Sequence, residues 1–151
     1  MGLPSSIAAV NELLVNSFND ILKIEKAALE SGPFNDLTIT ELHVIEAIGF
    51  TPRTMTEVAS QLGITVGTLT TTINRIVKKG YVLRNHAKDD RRFVEITLTH
   101  RGKLAHRLHE SFHATMVKSI VNGMSEEDNN ILIESLKRLT EFFRQQYDIK
   151  K

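Results

Sequence analysis

Between Ser5 and Glu30 the apolar residues recur at three- and four-residue steps. Ile7, Val10, Leu14, Ile21, Ile24 and Ala28 make one row, with Ser17 as its gap, and Phe18, Leu22, Glu25 and Leu29 make a second. That period predicts one long helix over 5–30, and its two rows predict two partners. "ESGPFND" at 30–36 breaks the pattern with Gly32 and Pro33. A helix is predicted from Thr38 to Gly49, opened by the Thr38/Glu41 capping box and carrying a stripe of Leu42, Ile45 and Ile48. Thr54 with Glu57 opens a short helix whose inner side is Met55, Val58, Ala59 and Leu62. Gly63 suits the left-handed turn that ends it.

The next segment, "TVGTLTTTINRIVKKG" from Thr65 to Gly80, holds five threonines yet keeps helical spacing. At 100° per residue, Val66, Leu69, Ile73, Ile76 and Val77 share one arc and predict a buried stripe. Gly67, Thr71, Asn74 and Lys78 face the other way, flanked by Thr68 and Arg75 on one side and Thr70 on the other, while Thr72 leans toward the core. Solvent-facing helix surfaces favour Glu, Lys, Gln and Arg. This face has no acid, and its short donors and acceptors suit close approach to a groove. Short helix, glycine turn and polar-faced helix together read as a helix-turn-helix.

After Gly80 the period changes from helical to two. "YVLRNHA" and "RFVEITL" are β-type runs separated by a charged tip, the second placing Val94, Ile96 and Leu98 on one face. This hairpin is the wing of a winged helix-turn-helix. Helical spacing then returns from Thr99 to about Val121. A last helix is capped by Ser125 with Asp128 and runs to about Tyr147, with Leu132, Leu136, Leu139 and Phe143 as its stripe. The predicted fold is mainly α with a small β-hairpin wing: a winged helix-turn-helix lobe over 36–100 and a helical dimerisation region over 5–30 and 103–147. Pairing with a second copy is the simplest cover for the terminal helices' apolar faces.

Charge sharpens this reading. The chain has 151 residues and a net charge of only +1. Residues 1–64 hold three Lys/Arg against eight Asp/Glu, whereas residues 75–92 hold seven against two. A local basic patch starting at the end of the threonine helix is the footprint of phosphate binding. The chain is 41% hydrophobic and has no cysteine, which fits a globular protein of the reducing cytoplasm. No run is long and apolar enough for a membrane span, and no signal peptide is expected. "MGLPSS" matches a myristoylation pattern at Gly2 and Ser6, as short patterns do by chance.

The wing signature Asp-x-Arg-x5-Leu-Thr-x2-Gly, met by Asp90, Arg92, Leu98, Thr99 and Gly102, resembles that of the MarR family of bacterial transcription regulators. The predicted order of six helices and one hairpin resembles that family too. Within it, "LTITELHVIEAIG", "TVGTLTTTINRIVKKGYV", "RGKLAHRLHESFH" and "MVKSIVNGMSEE" resemble the branch that represses fatty-acid synthesis genes in Gram-positive bacteria. The resemblance implies a homodimer on an inverted-repeat operator, with long-chain acyl groups on acyl carrier protein as corepressor and no other cofactor.

A recognition helix reads bases chiefly with its first turns. Thr65, Thr68, Thr70 and Thr71 offer hydroxyls and methyls, and Gly67 allows close backbone approach. Asn74 and Arg75 are placed for adenine or guanine edges or for phosphate, and Lys78 adds charge. On the wing, Arg84, Lys88, Arg91 and Arg92 are the candidate DNA contacts. One of the two tip arginines is expected in the minor groove, held by Asp90. The candidate effector pocket is an elongated apolar cavity of Phe18, Leu22, Phe34, Leu37, Leu108 and Phe112, with His43 or His106 near its polar end.

His106, His109 and His113 share one helix face at a spacing that can serve one metal, with Glu110 off that face. Some members of the family respond to zinc; the branch resembled here responds to lipid, so no metal site is expected. A zinc or small aromatic effector is the alternative, as is a helical scaffold that binds no DNA. No phosphate loop, nucleophile elbow or metalloprotease motif is present, so no enzyme activity is expected.

Overall fold

The computed structural model describes residues 5–147, so Gly2 of the myristoylation pattern lies outside the described residues. The chain divides into two compact units, Met1–His43 and Val44–Lys151. The first unit is dominated by α1 (Ser5–Ser31). Both of its apolar rows are largely on the surface: Ile7, Val10, Phe18, Leu22 and Ile24 are each about half exposed or more. The buried side chain of α1 is an acid. Glu25 is 5% exposed, and its carboxylate oxygen Oε1 lies 2.9 Å from His43 Nε2. Periodicity had put Glu25 in an apolar row without saying what would satisfy it.

α2 (Ile39–Ile48) carries the unit boundary. The Thr38 hydroxyl accepts the Glu41 amide at 3.1 Å, the expected cap. The burial of α2 is wider than the predicted stripe. Glu41, Val44 and Ala47 are buried as well as Leu42, Ile45 and Ile48.

The second unit continues with β1 (Arg53–Thr54), α3 (Met55–Leu62), α4 (Val66–Lys78), β2 (Val82–His86), β3 (Val94–Leu98), α5 (His100–Val121) and α6 (Glu126–Tyr147). Thr54 caps α3 by accepting the Glu57 amide, and Gly63 ends it at φ +68°, where a Cβ is unfavourable. Thr65 caps α4 two residues later, so the turn between the helices is set by a glycine and a hydroxyl. Leu69, Ile73 and Ile76 of α4 are fully buried, as are Ile45 of α2 and Val58 of α3. Each such side chain contributes roughly 1.5–3 kcal/mol by leaving water. Val66 departs from the predicted stripe. It lies in the first turn, before the helix is covered, and is 44% exposed.

The hairpin pairs β2 with β3 antiparallel, Arg84 opposite Ile96. β3 starts at Val94, not at Arg92 as the sequence pattern suggested. The β1 strand, too short to show a period, pairs on the other edge of β3, Arg53 opposite Ile96. Arg53 also donates to the Ala47 carbonyl at 2.6 Å and to Gln61, fastening the end of α2 to α3.

The root of the wing is fixed by the Leu-Thr-x2-Gly part of the signature. The Thr99 amide donates to the Tyr81 carbonyl at 2.9 Å, and its hydroxyl donates to the Gly80 carbonyl at 2.7 Å and caps α5 at Gly102. Gly102 is buried against that same Tyr81 carbonyl, and a Cβ there would collide with it. Ser125 caps α6 by accepting the Asp128 amide. On α6, Ile131, Leu136 and Phe142 are exposed.

Candidate nucleic-acid interface

The first turns of α4 present hydroxyls whose roles the helix already constrains. Thr65 accepts the Thr68 amide at 3.1 Å and donates to the Thr68 hydroxyl at 2.9 Å, so the Thr68 proton remains for an outside acceptor. Thr70 donates to the Val66 carbonyl at 2.8 Å and Thr71 to the Gly67 carbonyl at 3.3 Å. A hydroxyl whose proton is held by the preceding turn offers outward lone pairs and a methyl. Thr70 and Thr71 therefore suit amino groups of adenine or cytosine and the thymine methyl. Thr65, Gly67, Thr68 and Thr71 are exposed, and Thr70 is half-buried. Thr72 is buried, as its inward lean predicted.

Farther along α4, Asn74, Arg75 and Lys78 are exposed. Asn74, expected at an adenine or guanine edge or at phosphate, has its Oδ1 accepting Arg84 Nη2 at 2.6 Å. That bond joins the recognition helix to β2 and gives Arg84, expected as a DNA contact, a partner inside the protein. Oδ1 keeps a second lone pair and Nδ2 both its protons, so Asn74 retains the pair of groups that bidentate adenine contact needs, with its amide oriented by Arg84. Arg75 lies 3.5 Å from the Thr72 hydroxyl.

At the wing tip Arg92 is paired and Lys88 and Arg91 are exposed. Asp90 takes Arg92 Nε at 3.0 Å and Nη2 at 2.7 Å, and its Oδ1 also accepts the Arg92 amide at 3.0 Å. The Arg92 guanidinium, then its amide, hold the Asp90 carboxyl below its ordinary range, and Arg92 is raised in turn by the carboxylate. Arg92 is exposed and Asp90 only half-buried at the surface, so the pair orders the turn more than it stabilises the fold. Asp90 thus holds Arg92, as the sequence suggested for one of the two arginines, with the rest of that side chain still in solvent.

Between α4 and the wing lies an open cleft of about 290 Å³. Its walls include Val66 and Thr70 of α4, Thr56 of α3, and Arg84, Arg92 and Phe93 of the wing. Thr56 and Phe93 were missed by the sequence reading. The signal for Phe93 was an aromatic beside two arginines at a turn; Thr56 carried none.

The proposed effector residues are scattered in exposure. Phe18, Leu22 and Leu108 are 52%, 54% and 47% exposed, Phe34 and Phe112 are half-buried, and Leu37 is buried. His43 is bonded to Glu25. His106 is buried against Phe50, ring centroids 4.4 Å apart, with no hydrogen-bond partner at Nδ1. The three histidines of α5 do not converge as a set. His109 Nε2 lies 3.0 Å from Glu46 Oε2 and 3.0 Å from His113 Nε2, while His106 packs on Phe50. Glu110, expected off the histidine face, comes within 3.8 Å of His106 Nδ1 through the i,i+4 relation.

A capped polar helix on an apolar base, followed by an arginine-tipped hairpin, defines a winged helix-turn-helix transcriptional regulator that binds DNA. Residues 35–92 match the MarR family. The chain is 31% identical over 106 residues to the HTH-type transcriptional regulator SarZ of Staphylococcus haemolyticus, covering 70% of this chain and 71% of SarZ. It is 29% identical over 92 residues to the HTH-type transcriptional regulator YhjH of Bacillus subtilis, covering 60% of this chain and about half (53%) of YhjH. Among solved structures it is similar to Streptococcus pneumoniae FabT in complex with DNA, with 40% identity and a TM-score of 0.87 over 93% of this chain and 99% of that one. The chain belongs to the MarR family, whose members named here are regulators and not enzymes. Among the described residues, no helix is long and apolar enough to cross a membrane.

Proposed function

We propose that the protein is a homodimeric repressor of fatty-acid synthesis genes. It binds a near-palindromic operator and is strengthened by a long acyl chain on acyl carrier protein. The observation that carries this reading is the likeness to FabT, solved on DNA, across nearly the whole chain. The exposed threonines of α4 and the arginines of the wing supply the DNA-facing chemistry in this chain. The half-exposed apolar residues of α1 and α6 support pairing with a second copy, because faces of that kind are seldom left in water. A dimer would set two recognition helices about one DNA turn apart, on the order of 34 Å.

Leu108, apolar and half exposed on α5, is proposed as one wall of the acyl site, with Phe112 beside it. Each methylene buried there gains roughly 0.8 kcal/mol, so chain length sets affinity. The acyl chain regulates only through a difference in affinity for the DNA-competent arrangement. Lys103 and Arg107 on the same helix carry charge suited to an acidic carrier protein.

The test is an operator-binding titration with acylated carrier protein, free fatty acid or an aromatic acid. Tighter binding with the long-chain acylated protein alone supports the reading. An equal response to the aromatic acid, or none to the acylated protein, overturns the effector. Absence of specific duplex binding at any salt overturns the repressor itself.

A further inference from the structure

Asn74 stands on a helix whose phase is fixed, because Ile73 and Ile76 to either side of it are fully buried. Its partner is equally well braced. Arg84 lies at the middle of β2, opposite Ile96, with Val82 and His86 each paired to β3 as well. The donor therefore comes from a ladder-bonded strand and not from the wing tip that carries Lys88 and Arg91. Arg84 Nη2 donates to Asn74 Oδ1 at 2.6 Å, a short charge-assisted bond.

A guanidinium carries only donors. It holds the oxygen end of the Asn74 amide and repels the nitrogen end. The bond thus removes the end-for-end flip that an asparagine amide otherwise makes easily. Nδ2, with its two protons, is kept on the side away from Arg84. We propose that Arg84 is a positioning residue for base recognition: it fixes which way round Asn74 presents its amide, and so the strand on which an adenine is read. Adenine places an acceptor, N7, beside a donor, N6, and an A·T pair shows its groups across the major groove in the reverse order to T·A. An amide with its oxygen and nitrogen in fixed order matches one of the two, whereas a free amide meets either. Thr70 and Thr71 spend their protons on the preceding turn, so the oriented Nδ2 supplies a donor where those hydroxyls supply acceptors. The role rests on the DNA-binding reading of α4 and the wing and is independent of any effector.

In the test, wild-type protein first selects its operator from a randomised duplex. Asn74→Ala then marks the position that Asn74 reads, as the one where preference between A·T and T·A disappears. The wild type should favour one orientation there by roughly fivefold or more. Arg84→Met should bring the ratio at that same position toward parity, and Arg84→Lys, which keeps a donor, should restore part of it. Adding Arg84→Met to Asn74→Ala should cost no further preference at any position. A phosphate contact has a different signature: affinity falls for every sequence alike and the salt slope becomes shallower by about 0.9, with the ratio intact. Both side chains are exposed, and each variant is checked for wild-type far-UV circular dichroism. A wild type that selects no sequence overturns DNA binding and the role of Arg84 with it. A wild type that selects its operator overturns the role of Arg84 alone if Asn74→Ala marks no position, or if Arg84→Met keeps the ratio or loses preference at some other position instead.

Discussion

Gly102→Ala probes the junction on which the wing depends. An added Cβ meets the Tyr81 carbonyl oxygen well inside contact distance and lies 3.2 Å from Leu98 Cβ. Neither neighbour is a flexible side-chain end. The Tyr81 carbonyl accepts the Thr99 amide at 2.9 Å, and Leu98 is buried in β3. Forcing a methyl into packed backbone costs about 1–3 kcal/mol. Alanine recovers part of this, because it is better than glycine in a helix by about 0.8–1 kcal/mol. Because the clash is with backbone and far inside contact distance, the upper part of the packing cost, about 2–3 kcal/mol, applies. The net loss of about 1–2 kcal/mol lowers the melting midpoint of a chain of this size by about 3–6 °C. Differential scanning calorimetry measures the shift, and an operator titration below the transition reads the wing. Weaker duplex binding is expected as well, because the displaced carbonyl is the anchor of the hairpin root. A midpoint equal to or above that of the wild type would refute the reasoning, since the helix-propensity gain would then have gone unopposed.

Other outcomes follow from the interface. Arg92→Ala should weaken operator binding and shallow its salt dependence, measured by titration across salt concentrations. Asp90→Asn should weaken it less, by loosening a guanidinium that remains present. Because the Asp90 carboxyl titrates below its ordinary range, its hold on Arg92 is complete above that range and is lost only as pH falls through the lowered value. Wing-dependent affinity should therefore be flat in pH near neutrality as far as this pair is concerned. Thr71→Ala should change base preference by about 1–3 kcal/mol at one operator position, read by selection from a randomised site. Leu108→Trp should abolish acyl-carrier enhancement while leaving basal DNA affinity, and a normal response would place the acyl site elsewhere. Sedimentation at micromolar concentration should show a dimer, and a monomer would contradict the pairing of the exposed apolar faces.

The helices were legible in the sequence because their determinants are local. Periods of three and four, and hydroxyls three residues ahead of the amides they cap, act within one turn. Thr54, Thr65 and Ser125 accept those amides as expected, and Thr99, where the pattern began the fifth helix, accepts the Gly102 amide in the same way. The inward lean of Thr72 was legible for the same reason. β1 was not, because two residues have no period and its strand character comes only from β3 beside it. The exposure of Val66 was hidden too, since periodicity gives a direction and not what covers it.

Within the site, sequence alone marked the polar face of α4 and the cations of the wing. Composition and helical phase decide which residue types face outward. Only tertiary structure decided their partners. Arg84 reaches Asn74 across ten residues because the hairpin folds back along α4, which orients the Asn74 amide on that face. Glu46 meets His109 across sixty-three residues, which split a histidine row into a converging pair and a separate ring on Phe50. Helical spacing brings groups to the same side of one element. Which groups actually touch depends on the element packed against that side, and a one-dimensional pattern does not carry that information.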